Sequence, residues 1–368
     1  MSKQVKVGFI GVGGFVSGQH LPNAAGDPNL CVHTLCDLNE KLLKDRASEY
    51  HPEKTTTDYH TVLSDPDVEL VVIGTRGDLH AKLACETADA GKDILVEKPM
   101  TRTSKDAALV VEAVRRNKVR LLVGFNRRFS PAMQKAKEIY HSCNDGAPGQ
   151  VYYRMAQETK AHYAFDLSDG GGHLVTEGCH ILDILPWFLE EEPVEIYAAG
   201  ELASNDNVTI RFSGGSIATI ILSAKASLCY PKELMEVFSE YRTLVMQQYV
   251  ELQTDNYPNV PHKIFFKMRS DSVKEVPGVV GVDGGIELYA EKLAYLSDHD
   301  LYWERPLQVD KGHREMLQAY SDAILRDKPS PIDEVAGARA TVCALAALES
   351  IRRKAPIEIQ PANYFLNP

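Results

Sequence analysis

Short, continuously apolar runs alternate with longer amphipathic stretches over the first 125 residues of the chain. A run without polar alternation is typical of a strand buried on both faces, and the stretches between the runs have helical spacing. This order of elements predicts an α/β domain with a doubly wound parallel sheet. The strands are predicted at 5–10, 31–36, 70–73, 93–96 and 120–125, and the helices at 39–50, 79–90 and 104–117.

The pattern changes after Pro131, where apolar and polar residues begin to alternate, as in the run VYYRMAQE. Alternation indicates strands with one buried face, so we expect a second domain rich in antiparallel strands. The expected domains are residues 1–126 and 127–368, with the last helices packed back on the first domain. Further strands are predicted at 194–199, 207–212, 216–223 and 243–250, and further helices at 132–143, 286–297, 311–326 and 333–353.

The composition is that of an ordinary folded protein, with 44% hydrophobic and 25% charged residues among 368. A net charge of -11 gives no global positive field for nucleic acid or a membrane surface. No apolar run approaches the roughly 20 residues that span a bilayer. The seven cysteines are scattered and form no C-x-x-C pair. We therefore expect a protein of the reducing cytoplasm that acts on a small molecule and holds no metal.

A glycine-rich turn, GVGGFV at residues 11–16, follows the first predicted strand and leads into a helix. Gly11 allows the tight turn, Gly13 lets the backbone approach a diphosphate, and the helix N-terminus supplies N–H groups. The third glycine position holds Val16, which predicts a slightly wider turn. The alternative is an ordinary glycine-rich turn. The expected dinucleotide contacts here are Gly11, Gly13, Gly14, Phe15 and Val16.

Asp37 ends the next predicted strand, roughly 20 residues beyond the turn, as dinucleotide recognition requires. Its carboxylate can accept two hydrogen bonds from a ribose diol but would repel a 2′-phosphate. The sequence therefore favours NAD over NADP. The alternative is that Asp37 caps the helix that begins near Asn39.

Polar side chains follow two further strands at the same predicted edge, where ligands bind in open α/β sheets. Glu97-Lys98-Pro99 comes after strand 93–96, and the proline fixes the approach of the lysine. Asn126, Arg127 and Arg128 follow strand 120–125. Arg127 is a candidate contact to substrate hydroxyls. The alternative is that Arg127 and Arg128 are an arginine pair exposed to solvent.

At these motifs the chain resembles the glucose-fructose oxidoreductase, inositol dehydrogenase and MocA (Gfo/Idh/MocA) family. The resemblance implies a Rossmann domain, a second domain with a large open sheet, and hydride exchange between a nicotinamide and a sugar-like alcohol. The EKP lysine of the family falls on Lys98, and its D-x-x-x-H helix falls on 176–180. Thr75, His80, Glu97 and Asn126 would then lie along the cofactor, although His80 is alternatively a helix cap. The matching stretches are GVGGFVSGQHLP, VVIGTRGDLHAKLACETADAGKDILVEKPM, GFNRRFSPAM, GGGHLVTEGCHILDILPWFL and DKGHREMLQAYSDAILRDKPSPI.

The chain departs from the family at the acidic residue of that helix, where Thr176 stands and Glu177 follows. On an α-helix these residues are four and three positions before His180, so either side chain can lie beside the imidazole. Glu177 is the candidate replacement for the missing carboxylate. Thr176 and His162 are candidate substrate contacts, with a surface loop as the alternative for His162. The spacing of His173 and Glu177 also permits a metal site, but glycines at 170–172 place His173 in a loop and no ligand set converges.

Oxidation of a secondary alcohol needs a base that takes the hydroxyl proton, and a histidine suits that role near neutral pH. The sequence therefore predicts His180 as the base and Lys98 as the residue that stabilises alkoxide character. The alternative is that His180 packs near Trp187. The expected enzyme oxidises a sugar, cyclitol or glycoside, with C3 of a glucoside as one candidate position. A redox-neutral NAD-dependent glycosidase and a silent NAD-binding sensor are the alternatives. The family also implies a homo-oligomer paired through the second domain's sheet.

Overall fold

The computed structural model describes residues 3–158, 171–202, 204–227, 230–269, 280–287 and 308–364. The chain divides into two compact units, and the first division falls after residue 126. Unit 1 contains residues 1–126, 313–345 and 360–368, and unit 2 contains residues 127–312 and 346–359. Most of unit 2 is thus a single insertion between two segments of unit 1, residues 1–126 and 313–345.

Unit 1 holds a six-stranded parallel sheet in the order β3-β2-β1-β4-β5-β6. The predicted doubly wound sheet is thereby confirmed. The short edge strand β3, which is mostly exposed, was not predicted because three residues carry too little pattern. The strands are β1 (Val5–Ile10), β2 (Leu30–Cys36), β3 (Lys54–Thr56), β4 (Leu70–Ile73), β5 (Asp93–Val96) and β6 (Leu121–Val123).

Helices alternate with the parallel strands along the chain, and the helices predicted at 39–50, 79–90 and 104–117 are present. The short helix Tyr59–Ser64 was not predicted. The helix after Thr103 begins with that residue's hydroxyl accepting the Asp106 N–H at 3.0 Å, which is an N-cap. The α-helices are α1 (Leu21–Ala25), α2 (Glu40–Tyr50), α3 (Tyr59–Ser64), α4 (His80–Asp89), α5 (Ser104–Asn117), α6 (Pro131–Ser142), α7 (Cys179–Leu189), α8 (His313–Leu325) and α9 (Glu334–Arg353). Residues 281–287 are also helical, and the rest of the predicted helix 286–297 lies outside the described residues. No described helix is long and apolar enough to cross a membrane.

Helix α8 belongs to unit 1 although it follows unit 2 in the sequence. Its buried face includes Leu317 and Tyr320. The Tyr320 hydroxyl lies 2.9 Å from the Ile94 carbonyl oxygen and 3.0 Å from that of Arg120, at the start of β5 and just before β6. The packing of unit 1 thus depends on residues that are far away in the sequence.

Unit 2 holds a nine-stranded sheet in the order β14-β13-β12-β11-β7-β10-β9-β8-β17, in which only β7 and β10 pair in parallel. The predicted large, mostly antiparallel sheet is confirmed, and the SGGS turn at 213–216 joins β9 to β10. The strands are β7 (Gln150–Ala156), β8 (Pro193–Gly200), β9 (Asn205–Phe212), β10 (Ile217–Ser223), β11 (Glu233–Ser239), β12 (Arg242–Gln247), β13 (Glu251–Asp255), β14 (Lys263–Phe265) and β17 (Ile357–Glu358), beside a separate pair, β15 (Met268–Arg269) and β16 (Gln308–Val309).

Candidate functional site

The glycine-rich turn of unit 1 leaves open space where a dinucleotide diphosphate would lie. Gly11 has φ +86°, and a Cβ there would lie 2.7 Å from the Gly74 carbonyl oxygen, so no other residue fits. A Cβ at Gly13 or Gly14 would meet nothing within 4 Å. The backbone is therefore accessible at the start of the helical segment that begins at residue 14. Free N–H groups at such a start bind phosphate oxygens.

The valine at the third glycine position is accommodated by a glycine on the neighbouring strand end. Val16 is 1% exposed and begins a π-helical stretch, Val16–His20, that continues into α1. A Cβ at Gly74, just after β4, would lie 2.1 Å from Val16 Cγ2. The Val16 side chain thus fills space that is open because Gly74 has no side chain.

Asp37 connects the turn to the end of β2. One carboxylate oxygen accepts the Val12 N–H at 2.9 Å, and the other accepts the Asn39 N–H at 2.8 Å. Helix α2 is capped by Asn39, whose side chain accepts the Leu42 N–H, so Asp37 is not its N-cap. A carboxylate has about four acceptor positions, which leaves capacity for a ribose diol. The residues of unit 1 fit NAD.

Glu97 and Lys98 lie in the loop after β5. The Glu97 carboxylate contacts both the His20 ring and the Lys98 backbone. The His20 Nε2 lies 2.7 Å from one carboxylate oxygen of Glu97, and the other oxygen accepts the Lys98 backbone N–H at 3.2 Å. The peptide bond between Lys98 and Pro99 is cis, and Lys98 itself is half-buried. Glu97 therefore shapes the loop that carries the lysine.

His80 connects two loops at the same sheet edge. Its Nδ1 lies 2.8 Å from the Pro99 carbonyl oxygen, and its Nε2 lies 3.2 Å from that of Thr75. Burial lowers the pKa of His80 despite these carbonyl contacts. The residue that caps α4 is Leu79, without a side-chain hydrogen bond, so the interpretation of His80 as a helix cap is wrong.

A buried carboxylate in unit 2 gathers five hydrogen-bond contacts. Glu233 is 0% exposed and accepts two from the Arg127 guanidinium, at 2.9 and 3.0 Å. The hydroxyls of Tyr153 and Tyr249 donate at 2.9 and 2.7 Å, and the Lys311 ammonium donates at 3.0 Å. We call these five residues the Glu233 cluster.

The charges of the Glu233 cluster determine its protonation. Burial opposes ionisation of Glu233, but Arg127, Lys311 and Lys232 hold the pKa of its carboxyl well below the usual range. Burial lowers the pKa of Lys311 to about 7 despite the opposing charge of Glu233. Glu233 is therefore a carboxylate at neutral pH, whereas Lys311 changes its charge there.

The arginine pair after β6 is not solvated. Arg127 is 4% exposed in the Glu233 cluster, and Arg128 is 7% exposed and makes a bidentate ion pair with Asp183 of α7. The interpretation of a surface pair is thus wrong. Contact between Arg127 and a substrate stays a prediction.

The segment with Thr176 and Glu177 is not a regular α-helix. Leu174–Gly178 is a π-helical stretch that leads into α7, and His180 is 3% exposed on that helix. Because π-helical hydrogen bonds join residues five apart, the α-helical spacing that placed Glu177 beside His180 does not hold here. The Glu177 carboxylate contacts the Lys232 ammonium at 2.8 Å. Its role as a replacement carboxylate stays a prediction.

Three other expectations concern the neighbourhood of this segment. The Thr176 hydroxyl donates to the Gly172 carbonyl oxygen at 3.0 Å. His173 is fully buried in a helical turn, so its placement in a loop was wrong, and its Nε2 lies 3.3 Å from Gln157 Nε2. His162 lies outside the described residues.

One group of described residues elsewhere has metal-ligand proximity, namely His33, Asp65 and Asp67 in unit 1. The Lys54 ammonium donates to Asp65 at 2.8 Å, and the Lys6 ammonium lies 3.4 Å from Asp67. These lysines already pair with the carboxylates, and we assign no metal to the group.

Sequence reasoning missed most of the Glu233 cluster. One signal was present, because alternation along β11 puts Glu233 on the same face as Met235 and Val237, both buried. A carboxylate at an inward position implies buried partners. The sequence does not show that these partners are Arg127, Tyr153, Tyr249 and Lys311.

Comparison with known proteins identifies the family of the chain. Residues 5–125 match the model of the oxidoreductase family with an NAD-binding Rossmann fold, and residues 133–245 match the GFO/IDH/MocA C-terminal domain. The chain belongs to the Gfo/Idh/MocA family. The family expected from the sequence motifs is confirmed, and with it an NAD-dependent dehydrogenase for CH–OH groups as the class of enzyme. NAD is the cofactor of its Rossmann domain.

Individual relatives of this Gfo/Idh/MocA member cover much of its length. The Bacillus subtilis protein named uncharacterized oxidoreductase YrbE is 29% identical over 346 residues, 86% of this chain and 99% of that protein. Myo-inositol 2-dehydrogenase of Thermotoga maritima is 26% identical over 246 residues, 64% of this chain and 72% of the enzyme. The solved levoglucosan dehydrogenase, in complex with NADH and levoglucosan, has a TM-score of 0.80 at 20% identity over 98% of this chain and 100% of that one. This structural likeness shows the shared fold.

Proposed function

We propose that the enzyme oxidises one secondary hydroxyl of a sugar, cyclitol or glycoside with NAD. The observation that carries the proposal is the accessible glycine turn beside Asp37, in a chain whose two halves match the two Gfo/Idh/MocA models. Relatives named as myo-inositol and levoglucosan dehydrogenases support a cyclic polyol as substrate. The carboxylate of Asp37 supports NAD rather than NADP.

Each proposed catalytic role follows from the chemistry of one side chain. Bound NAD supplies the acceptor for the hydride. His180 takes the proton of the substrate hydroxyl, as a general base does near neutral pH. Lys98 donates a hydrogen bond to the same oxygen and stabilises its developing negative charge. Glu177 is proposed to orient the base in place of the acidic residue that Thr176 replaces.

The remaining polar residues are proposed as binding contacts. Gly13, Gly14 and Phe15 would contact the diphosphate side of NAD, and Asp37 the ribose. Thr75, His80 and Asn126 would lie along the cofactor. Arg127, Thr176 and His162 are proposed as contacts to the substrate.

One specific position within this class is C3 of a glucoside. A ketone at C3 acidifies the neighbouring C2 proton and so prepares the aglycone for elimination by a partner enzyme. We propose C3 oxidation as the first regiochemistry to test, with C2 of an inositol as the comparison.

A single-turnover experiment tests the proposal. Purified protein at high concentration is mixed with NAD and a panel of inositols, free sugars and glycosides, and the amplitude of NADH absorbance is recorded. We expect a stoichiometric rise with one polyol class and none with the Lys98→Ala variant, which should still bind NAD. Glycoside hydrolysis without net NADH would instead indicate a redox-neutral glycosidase. Binding of NAD without turnover of any polyol or ketone would indicate a sensor.

We also propose a homo-oligomer that pairs through the sheet of unit 2, in a reducing cytoplasm. Strand register puts Tyr197, Ile217 and Phe238 on one face, where they are 45%, 43% and 42% exposed. An apolar face of this kind favours burial against another subunit. Sedimentation velocity would show the assembly, and Ile217→Glu should shift it toward monomer; a monomeric parent protein would contradict the proposal.

A further inference from the structure

We propose that His20 is a positioning residue for Lys98, which it holds through the buried carboxylate of Glu97. The inference rests on the proposed function, in which the Lys98 ammonium contacts the substrate hydroxyl. All three residues lie in unit 1. His20 is 1% exposed and Glu97 is 7% exposed.

Glu97 divides its two carboxylate oxygens between the histidine and the lysine backbone. Oε1 lies 2.7 Å from His20 Nε2, and Oε2 accepts the Lys98 N–H at 3.2 Å. Pro99, which follows, has no N–H. The Glu97 carboxylate therefore fixes the peptide from which the Lys98 side chain extends.

The Glu97 carboxylate lies against Gly124, where there is no side chain to displace it. A Cβ at Gly124, just after β6, would lie 2.6 Å from Glu97 Oε1 and 3.1 Å from Oε2. Any side chain there would displace the carboxylate from His20. Phe15 packs edge-on against the His20 ring, with the ring centroids 5.5 Å apart. His20 thus lies between the nucleotide turn and the carboxylate that holds Lys98.

The ionisation of Glu97 depends on His20. Burial acts to raise the pKa of Glu97, but the His20 hydrogen bond and the charges of His20 and Lys98 lower it below the usual range. His80, on α4, also interacts electrostatically with Glu97. Without a donor at position 20, the effect of burial would be less opposed, and the pKa of Glu97 would rise. Below that pKa, the carboxyl would be protonated and would hold the Lys98 N–H less strongly.

Two variants of His20 separate a specific role from general packing. In His20→Gln, the side-chain amide nitrogen can reach the place of Nε2 and donate to Glu97. In His20→Asn, the shorter amide corresponds to Nδ1 and cannot. We expect kcat/KM of the asparagine variant to fall about tenfold or more at pH 6, with recovery toward pH 8. The glutamine variant should retain the wild-type pH profile. Both should bind NAD within about threefold of wild type in calorimetry.

A measurement on the protein without cofactor or substrate tests the same contact directly. In protein labelled with ¹⁵N-lysine, the Lys98 amide resonance should shift upfield in the asparagine variant but not in the glutamine variant, because the hydrogen bond to the carboxylate weakens. His33 is the matched control, since it is also buried in unit 1 and lies 3.2 Å from a carboxylate oxygen of Asp65. The His33→Asn variant should lose stability without a change in the pH profile or in the Lys98 resonance.

The outcomes distinguish failure of the inference from failure of the proposed function. Wild-type turnover by Lys98→Ala overturns the proposed function. A dead Lys98→Ala variant, with a wild-type pH profile and Lys98 resonance in His20→Asn, overturns only the role of His20. If His20→Asn does not fold, Glu97→Gln replaces it: lower kcat with a shifted Lys98 resonance supports the inference, and wild-type values for both overturn it.

Discussion

Replacement of Gly74 by alanine tests the explanation for the valine at the third glycine position. The added Cβ would lie 2.1 Å from Val16 Cγ2 but 3.6 Å from Val16 Cβ. Val16→Ala removes Cγ2, so in the double variant the new methyl group meets Val16 Cβ and the Gly11 carbonyl oxygen, each at 3.6 Å, which is an ordinary van der Waals separation. The two substitutions should therefore compensate each other.

The free energies of unfolding follow from these distances. Gly74→Ala overpacks a buried contact and should cost about 1–3 kcal/mol. Val16→Ala removes two methyl groups from a residue that is 1% exposed, which should cost about 2 kcal/mol. The sum is about 3–5 kcal/mol, whereas the double variant should cost about 2 kcal/mol because the clash is gone. The expected coupling is thus about 1–3 kcal/mol in favour of the double variant.

Urea unfolding followed by circular dichroism measures these costs, and calorimetric NAD affinity reports separately on unit 1. We expect Gly74→Ala to weaken NAD binding and Val16→Ala to restore part of it. Gly18→Ala is the control, because a Cβ there meets nothing within 4 Å. Costs that add within about 0.5 kcal/mol would refute the explanation.

Three further predictions concern charged groups. Asp37→Ala should weaken NAD binding about tenfold to hundredfold in calorimetry, with kcat at saturating NAD almost unchanged, because about 1.4 kcal/mol of lost hydrogen bonding is tenfold; equal affinity would exclude a ribose contact. Glu177→Gln should move the acid limb of kcat/KM to lower pH if Glu177 stabilises a protonated base, and an unchanged profile would remove it from the proton transfer. Lys311 has a folded-state pKa of about 7, below its unfolded value, so the unfolded chain binds more protons above pH 7 and stability should rise toward pH 9 by up to about 1.4 kcal/mol per unit. Urea unfolding of Lys311→Met at pH 7, 8 and 9 should lack that rise, and an equal rise in both proteins would assign it to other groups.

The sequence predicts the nucleotide half well because its signals are local. The first strand, the glycine turn and Asp37 lie within the first 37 residues. Their order and spacing are enough to predict the dinucleotide-binding turn. The departure at Val16 was visible in the sequence. Its compensation was not, because Gly74 is adjacent to Val16 only after β1 and β4 pair.

The polar interior of unit 2 is less predictable for a physical reason. A buried carboxylate such as Glu233 is stable only with several donors. Its donors are far apart in the sequence: Arg127, Tyr153, Tyr249 and Lys311. The π-helical stretch Leu174–Gly178 is a second case. A one-residue widening of a helix leaves no periodic signal in five residues, so the sequence predicted regular α-helical spacing at Glu177 where the structure has a π-helical stretch.

The return of residues 313–345 to unit 1 has a consequence for synthesis on the ribosome. The first 126 residues emerge early, but Tyr320, whose hydroxyl lies against the carbonyls of Ile94 and Arg120, emerges only after most of unit 2. At about 5–20 residues per second, the delay is roughly 10–40 seconds. During that interval the nascent nucleotide half exposes the surface that α8 later covers. Chaperone binding to stalled nascent chains should therefore persist past residue 126 and fall once residues 313–345 have left the exit tunnel.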